Sequence, residues 1–319
     1  MQDDNQKVAF VYWCDGTGHA ARSIPVLKEL ESRDVEFSVA GGGPGKKFVE
    51  LNGFDHPGLT EVAFKGSNAV EIVRNIIFDI VPSCTKRFID IYKWLGEEDP
   101  DKIVTDDALA GLAAALNRVE IYRIDHLTPE LFDWKIGLPF RLYNFLSLNL
   151  GEGIIVTSLW KDEEDPEGYK RVGPLAQEGE TDDEIEEYDV LLSPGTHGED
   201  FDLIKKKLES KGMSVRVVGD DNWETKPSMT PYTEKADVVI CTGFSSIADT
   251  VVAGTHCIVY PFLPFQKGIA KGIEERNLKG LQVVRSVEES VEAAEKCVKT
   301  SCDAPEYENG AEEFVDELL

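Results

Sequence analysis

The sequence predicts an α/β fold built as two doubly wound, parallel-sheet halves that face each other across a cleft. Three observations predict it. Short apolar runs alternate with segments of helical period over residues 8–157, and the alternation restarts over residues 190–260. Glycine-containing turns follow the strand-like runs at Cys14–Gly18, Gly41–Gly45, Ser193–Gly198 and Thr242–Gly243. An acidic break, with KDEEDPEG and EGETDDEIEEYD inside residues 161–189, separates the two series. A length of 319 residues fits two units of about 150 residues each.

The elements follow in order. Val8–Trp13 reads as a buried parallel strand, and Ile24, Leu27 and Leu30 recur at helical spacing in a helix over Ala20–Glu31. A strand at Glu36–Ala40 and a short helix at Lys46–Leu51 come next. Ala69–Leu95 has helical period with a break near Pro82, because proline removes a backbone donor and clashes with the preceding turn. Strands at Lys102–Thr105 and Glu120–Ile124 flank a helix at Ala108–Leu116, and Ile154–Thr157 closes the first half. The second half reads as strand Val190–Ser193, helix Phe201–Lys211, strands Ser214–Val218 and Asp237–Cys241, helix Ser246–Ala253 and strand Cys257–Tyr260. The expected division is residues 1–172, a solvated acidic linker at 173–188, and residues 189–319, with a last helix over Ala311–Leu319 returning to the first domain.

Composition excludes several classes of function. The net charge of −27, from 60 acidic and 33 basic residues, makes nucleic acid a poor partner, since a phosphate backbone demands a basic footprint. The acid is spread along the chain, a pattern expected of a halophilic surface kept soluble by its charge. No apolar run reaches the roughly 18 residues needed to span a bilayer, and the N-terminal MQDDNQ is unlike a secretory signal, so a cytoplasmic protein is expected. The six cysteines, Cys14, Cys84, Cys241, Cys257, Cys297 and Cys302, form no CxxC pair and no zinc-like Cys/His spacing, and read as reduced buried thiols. With no DxD motif at Asp106–Asp107 or Asp220–Asp221, no metal is expected, and no cofactor.

Candidate chemistry gathers at the strand-to-helix turns, where open α/β sheets bind ligands. In Cys14–Arg22 the glycines Gly16 and Gly18 allow a tight turn, and His19 at its tip could act as a general base. A dinucleotide reading needs an acid at the end of the second strand, which ends in Val39–Ala40–Gly41. Asp106 ends a neighbouring strand and could orient His19; His126 follows another at the same edge. Gly195 and Thr196 open the turn after the first strand of the second half, where backbone N–H groups can approach an anion. Gly243, Ser245 and Ser246 start a helix whose unpaired N–H groups and dipole suit a diphosphate. Asp249 either caps that helix or accepts from ribose hydroxyls, and Gln266 lies on a loop at the same edge. His56 and His126 have a structural reading, although His126 also faces the crevice edge, and His197 is assigned no role. Ile72–Leu95, which mixes apolar residues with Lys86, Arg87 and Lys93, reads as core packing or as an acceptor- or membrane-facing patch.

These residues carry a resemblance. G-F-S-S-I-A-D-x-x-x-A-G followed by I-V-Y-P-F-x-P-x-Q resembles the donor half of GT-B glycosyltransferases, which consist of two Rossmann-like domains. It is similar to the family that adds N-acetylglucosamine to the lipid-linked peptidoglycan precursor, and to its archaeal relatives. Gly16–Arg22 resembles the GxGHxxR opening of that superfamily, with one glycine fewer than the peptidoglycan enzymes. The resemblance implies a nucleotide-sugar donor, UDP-linked, held by Gly243, Ser245, Ser246, Asp249 and Gln266, with Gly195 and Thr196 added on the donor side from their place in the neighbouring turn. Asp249 stands where the family has a glutamate. It implies His19 at the catalytic centre, with Gly16, Gly18 and Arg22 on the side of an acceptor of unknown identity, lipid-linked in the family; Asp106 as its catalytic partner and His126 on the acceptor side are read from their places at the sheet edge. Peripheral contact with a membrane would follow from that acceptor or from a surface patch at Ile72–Leu95. A sugar-nucleotide 2-epimerase of the same fold, and a non-catalytic partner subunit, are the alternatives.

Overall fold

The computed structural model describes residues 6–62, 79–128, 131, 134–161, 167–179, 184–195, 198–219 and 225–319. Eleven strands among the described residues form two fully parallel sheets. The first contains β1 (Val8–Val11), β2 (Phe37–Ala40), β3 (Lys102–Thr105), β4 (Glu120–Asp125), β5 (Gly153–Thr157) and β6 (Tyr169–Val172), in the order β2-β1-β3-β4-β5-β6. The second contains β7 (Tyr188–Ser193), β8 (Val215–Val217), β9 (Ala236–Cys241), β10 (His256–Val259) and β11 (Leu281–Val283), in the order β11-β10-β9-β7-β8.

The inner strands β1, β5, β7 and β9 are largely buried apolar runs because both faces of each sheet are covered, whereas the edge strands β6, β8 and β11 are only partly buried. Side chains alternate between faces, so Val8 and Phe10 of β1 join one core while Ala9 and Val11 join another. The second sheet does the same. Val190, Leu192, Val238 and Ile240 enter one cluster, and Leu191, Val239 and Cys241 the other. The covering helices are α1 (Gly18–Ser32), α2 (Gly45–Leu51), α3 (Val81–Glu98), α4 (Ala108–Asn117) and α5 (Trp134–Leu150) in the first half. In the second they are α6 (Gly198–Ser210), α7 (Thr230–Glu234), α8 (Phe244–Val252), α9 (Pro264–Arg276) and α10 (Val287–Thr300). The terminal helix α11 (Ala311–Leu318) buries Phe314, Val315 and Leu318 in the core that Ile24, Leu27 and Leu30 of α1 line. Lys102 Nζ donates to the Leu318 carbonyl at 2.6 Å, which closes that helix end inside the first domain.

Several expectations are corrected. The first sheet does not end at Ile154–Thr157: β6 adds a sixth strand, in register with Ile154–Thr157. The break expected near Pro82 agrees with the start of α3 at Val81, where the missing N–H costs nothing in a first turn; residues 69–78 of the expected helical stretch lie outside the described residues. Leu175, Ala176 and Gln177 are buried, so the segment after β6 is not a solvated linker at its outset. Arg87 belongs to no basic surface patch, because it is fully buried. Its Nε donates to Asp107 Oδ2 at 2.7 Å, Nη1 to the Thr60 carbonyl and Nη2 to the Tyr12 carbonyl. Cys297 and Cys302 are not free thiols but a disulfide at the end of α10, while Cys14, Cys84, Cys241 and Cys257 are free. Among the described residues no helix is long and apolar enough to cross a membrane.

Candidate active site

Sheet topology assembles the first cluster. β1 and β4 both pair with β3, in parallel, so their C-terminal ends lie side by side. The turn after β1 leads into the first turns of α1, which carry His19 and Arg22; Asp106 follows β3, and His126 follows β4. His19 and Arg22 are three apart on α1 and share one face. His19 Nδ1 and Arg22 Nη2 each lie 2.6 Å from Asp106 Oδ2, and the Trp13 N–H donates to Oδ1 at 2.8 Å. Burial penalises the Asp106 carboxylate, but the charges of His19 and Arg22 and the hydrogen bonds from His19 and Trp13 outweigh it and hold the group well below the usual carboxylate range. An ionised Asp106 only accepts, so His19 Nδ1 donates to it and Nε2 is the ring nitrogen left to meet a ligand. The His19 side chain keeps 31% of its surface exposed, whereas Asp106 keeps 9% and Arg22 4%. A buried anion therefore grips the inner edge of an imidazole whose ring remains open to a ligand.

His126 is wired differently. Arg22 Nη1 donates to its Nδ1, and burial, with the Arg22 and His19 charges, pushes its pKa well down, so the ring is neutral. Asp125 Oδ1 fixes the turn by accepting from the His126 and Leu127 N–H groups. The imidazole stacks on Phe244 of the second domain, centroids 5.0 Å apart. His56 is buried under the same turn region, bonded to Tyr12 Oη at 3.0 Å and to the Pro57 carbonyl.

The second cluster lies at the matching edge of the second sheet. β7 pairs with β9 up to Ser193–Cys241, so the turns after both strands are neighbours. Ser193 Oγ and Ser246 Oγ are 2.8 Å apart, and Thr242 Oγ1 donates to the Pro194 carbonyl at 3.4 Å. Gly195 has φ +59, and a Cβ there would meet Thr242 Oγ1 at 3.3 Å, so a glycine is favoured. α8 starts after Gly243, extended at φ −96 and ψ 151, with no side-chain cap on its first N–H groups. The two clusters meet where Ser245 Oγ donates to the Gly18 carbonyl at 3.3 Å. Thus the N-terminal end of α1 abuts that of α8, two positive dipole ends at one place. Gly16, at φ +74, provides the turn that brings α1 there.

Asp249 and Gln266 are committed elsewhere in part. Asp249 Oδ1 accepts from the Gln177 N–H at 3.2 Å, and burial pushes its carboxyl up to about 7 against that bond. Gln266 Oε1 accepts from the Phe262 and Leu263 N–H groups, both at 2.9 Å, capping α9. Thr196 and His197 lie outside the described residues, as do Asp220 and Asp221. The residue that sequence reasoning missed is Gln177. Its backbone N–H donates to Asp249, its Nε2 reaches the Ala21 carbonyl at 3.4 Å, and its buried Oε1 has no partner among the described residues. Nothing in an acidic, glycine-bearing stretch marks that residue as buried.

No protein-family model and no curated protein matches the chain. Solved structures do. The spinosyn forosaminyltransferase SpnP is 12% identical over 99% of this chain and 98% of that one, with a TM-score of 0.67. MurG of Acinetobacter baumannii is 14% identical over 98% and 99%, with a TM-score of 0.58. The fold is GT-B. UDP-GlcNAc 2-epimerase of Methanocaldococcus jannaschii shares it, 12% identical over 98% and 99%, with a TM-score of 0.60.

Proposed function

We propose that the chain is a metal-independent GT-B glycosyltransferase that moves a hexose or N-acetylhexosamine from a UDP-sugar to an acceptor hydroxyl. One observation carries the reading: a half-open imidazole held on a buried carboxylate at 2.6 Å, at the place where the uncapped start of α8 meets the first domain. In this reading His19 Nε2 takes the acceptor proton as its oxygen attacks the anomeric carbon. The bond to the diphosphate breaks in the same step, and UDP leaves against the N–H groups of Gly243, Ser245 and Ser246. That helix end neutralises the growing charge, the task a cation performs in other enzymes. Gly195 lets the neighbouring turn approach the diphosphate, and Asp249 accepts from the ribose.

A lipid-linked acceptor, with peripheral action at the cytoplasmic face of a membrane, is the finer proposal. Its support is the exposed apolar row Leu138, Leu142, Phe145 and Leu146 on α5. Likeness to a UDP-GlcNAc 2-epimerase favours a second reading, in which the same donor site serves inversion at C2. Calorimetry with UDP in EDTA, followed by product analysis with UDP-GlcNAc and hydroxyl acceptors, tests both. UDP binding in EDTA with acceptor-dependent UDP release is expected. No UDP binding, or binding only with Mg2+, contradicts the site, and an acceptor-independent C2 epimer selects the second reading.

A further inference from the structure

The second domain holds a group of side chains unrelated to the cleft. His256 opens β10, Cys297 lies in the last turn of α10, and Cys302 follows two residues beyond it. One ligand atom from each lies within 4.8 Å of the other two. His256 is at the N-terminal end of its strand, the edge opposite the nucleotide-facing turns. We propose that these residues form a soft-metal site: reduced, they bind Zn2+ through two thiolates and one imidazole, and oxidised, the Cys297–Cys302 disulfide closes the site.

Three features support it. His256 Nδ1 is 2.9 Å from the Asp303 carbonyl, so it must donate, and the neutral ring then carries its lone pair on Nε2. Metal-binding histidines have their second nitrogen held in this way. Nε2 itself is buried and has no hydrogen-bond partner among the described residues. Buried polar atoms are nearly always satisfied, so an orphan nitrogen on a ring grouped with two sulfurs calls for a partner. Thiolate with imidazole is a donor set suited to a borderline-soft d10 ion. Tetrahedral zinc, with bonds of about 2.0–2.3 Å, puts its ligand atoms roughly 3.3–3.8 Å apart. The widest separation must therefore close by about 1 Å, while the two sulfurs must part, which reduction permits.

The chemistry balances with a dithiol as reductant. Two electrons and two protons from the dithiol cleave the S–S bond to two thiols, and the dithiol becomes a disulfide. Zn2+ then replaces the two thiol protons, which go to solvent, and water completes four ligands.

The test is anaerobic Co2+ titration of the full chain, before and after reduction by a phosphine that is then removed, with Zn2+ as competitor. One Co2+ per reduced chain, with thiolate charge-transfer and tetrahedral d–d bands displaced by Zn2+, is expected; the oxidised chain should show neither band. His256→Asn should keep the disulfide, by thiol count, and weaken Co2+ binding at least tenfold. Cys302→Ser should abolish the charge-transfer band. Cys241→Ser/Cys257→Ser removes the other thiol pair, whose sulfurs are 3.6 Å apart, and should change nothing. Absence of the bands in the reduced chain overturns the site, as does binding indifferent to His256→Asn. If reduction unfolds the chain, by circular dichroism, and Zn2+ does not restore it, the site is overturned as well.

Discussion

The turn after β1 and the turn after β9 face each other at the cleft, yet they are held by different forces. At the first, a buried carboxylate, a guanidinium and two imidazoles converge within hydrogen-bond distance. At the second, the contacts are neutral: hydroxyl to hydroxyl, hydroxyl to carbonyl, and a helix end without a capping side chain. The difference follows what each side would have to bind. A diphosphate brings its own charge and needs only converging N–H groups and a dipole. An acceptor hydroxyl is neutral, and taking its proton calls for an imidazole fixed in one tautomer, which a carboxylate both orients and stabilises once the ring is protonated. Mutations at the two turns should therefore separate turnover from donor affinity.

The largest effect is expected at Asp106→Asn. The amide keeps the shape but leaves Arg22 and His19 without their anion and frees the imidazole tautomer. Turnover should fall by about 10²–10⁴ while donor affinity changes less than about threefold. Steady-state kinetics with calorimetry checks it. The same substitution has a pH signature. The Asp106 pKa is depressed in the folded chain, so its stabilising contribution is present above the unfolded value of about 4 and is lost as pH falls below it. The acid-side loss of melting temperature should shrink in the variant.

Next is the support beneath that turn. Arg87→Met strands the buried Asp107 carboxylate and should cost about 3–5 kcal/mol of unfolding free energy. The double variant Arg87→Met/Asp107→Leu should recover most of it, as denaturant melts will show. A double variant no more stable than Arg87→Met would mean the ion pair is not what holds the turn.

A smaller effect is expected on the donor side. Asp249 titrates near pH 7 because of burial. A carboxylate that accepts from ribose binds best when ionised. At pH 6 only about a tenth of it is, so a nucleotide sugar should bind roughly tenfold more weakly at pH 6 than at pH 8. Asp249→Asn should flatten that dependence. The sign for folding is the opposite: a raised carboxyl pKa favours the protonated folded form, so this group's contribution to stability declines as pH rises from about 4 to 7. A donor affinity indifferent to pH in the wild type would remove Asp249 from the ribose site.

How much of this was legible depends on range along the chain. Strand runs and their glycine turns are local patterns, and β1, β3, β9 and α4 appear in the sequence nearly as they fold. His19 and Arg22 are a local pair, and Asp106 is readable from its place at a strand end. Arg22–His126 and His126–Phe244 join residues more than 100 positions apart, and no spacing encodes them. α5 hides its period because large apolar residues such as Leu142 and Phe145 point to solvent. α10 could be read, since Ser286 caps it three residues before Glu289. The Cys297–Cys302 bond depends on how α10 ends, which a separation of five does not reveal.

The central claim is that His19 serves the reaction and not the binding of the donor. His19→Ala decides it when turnover, donor dissociation constant and melting temperature are measured on the same preparation. The account predicts turnover lower by about 10²–10⁴, a donor dissociation constant within about threefold of wild type, and an almost unchanged melting temperature. Turnover within threefold of wild type, or a loss that tracks donor affinity or melting temperature, would contradict it.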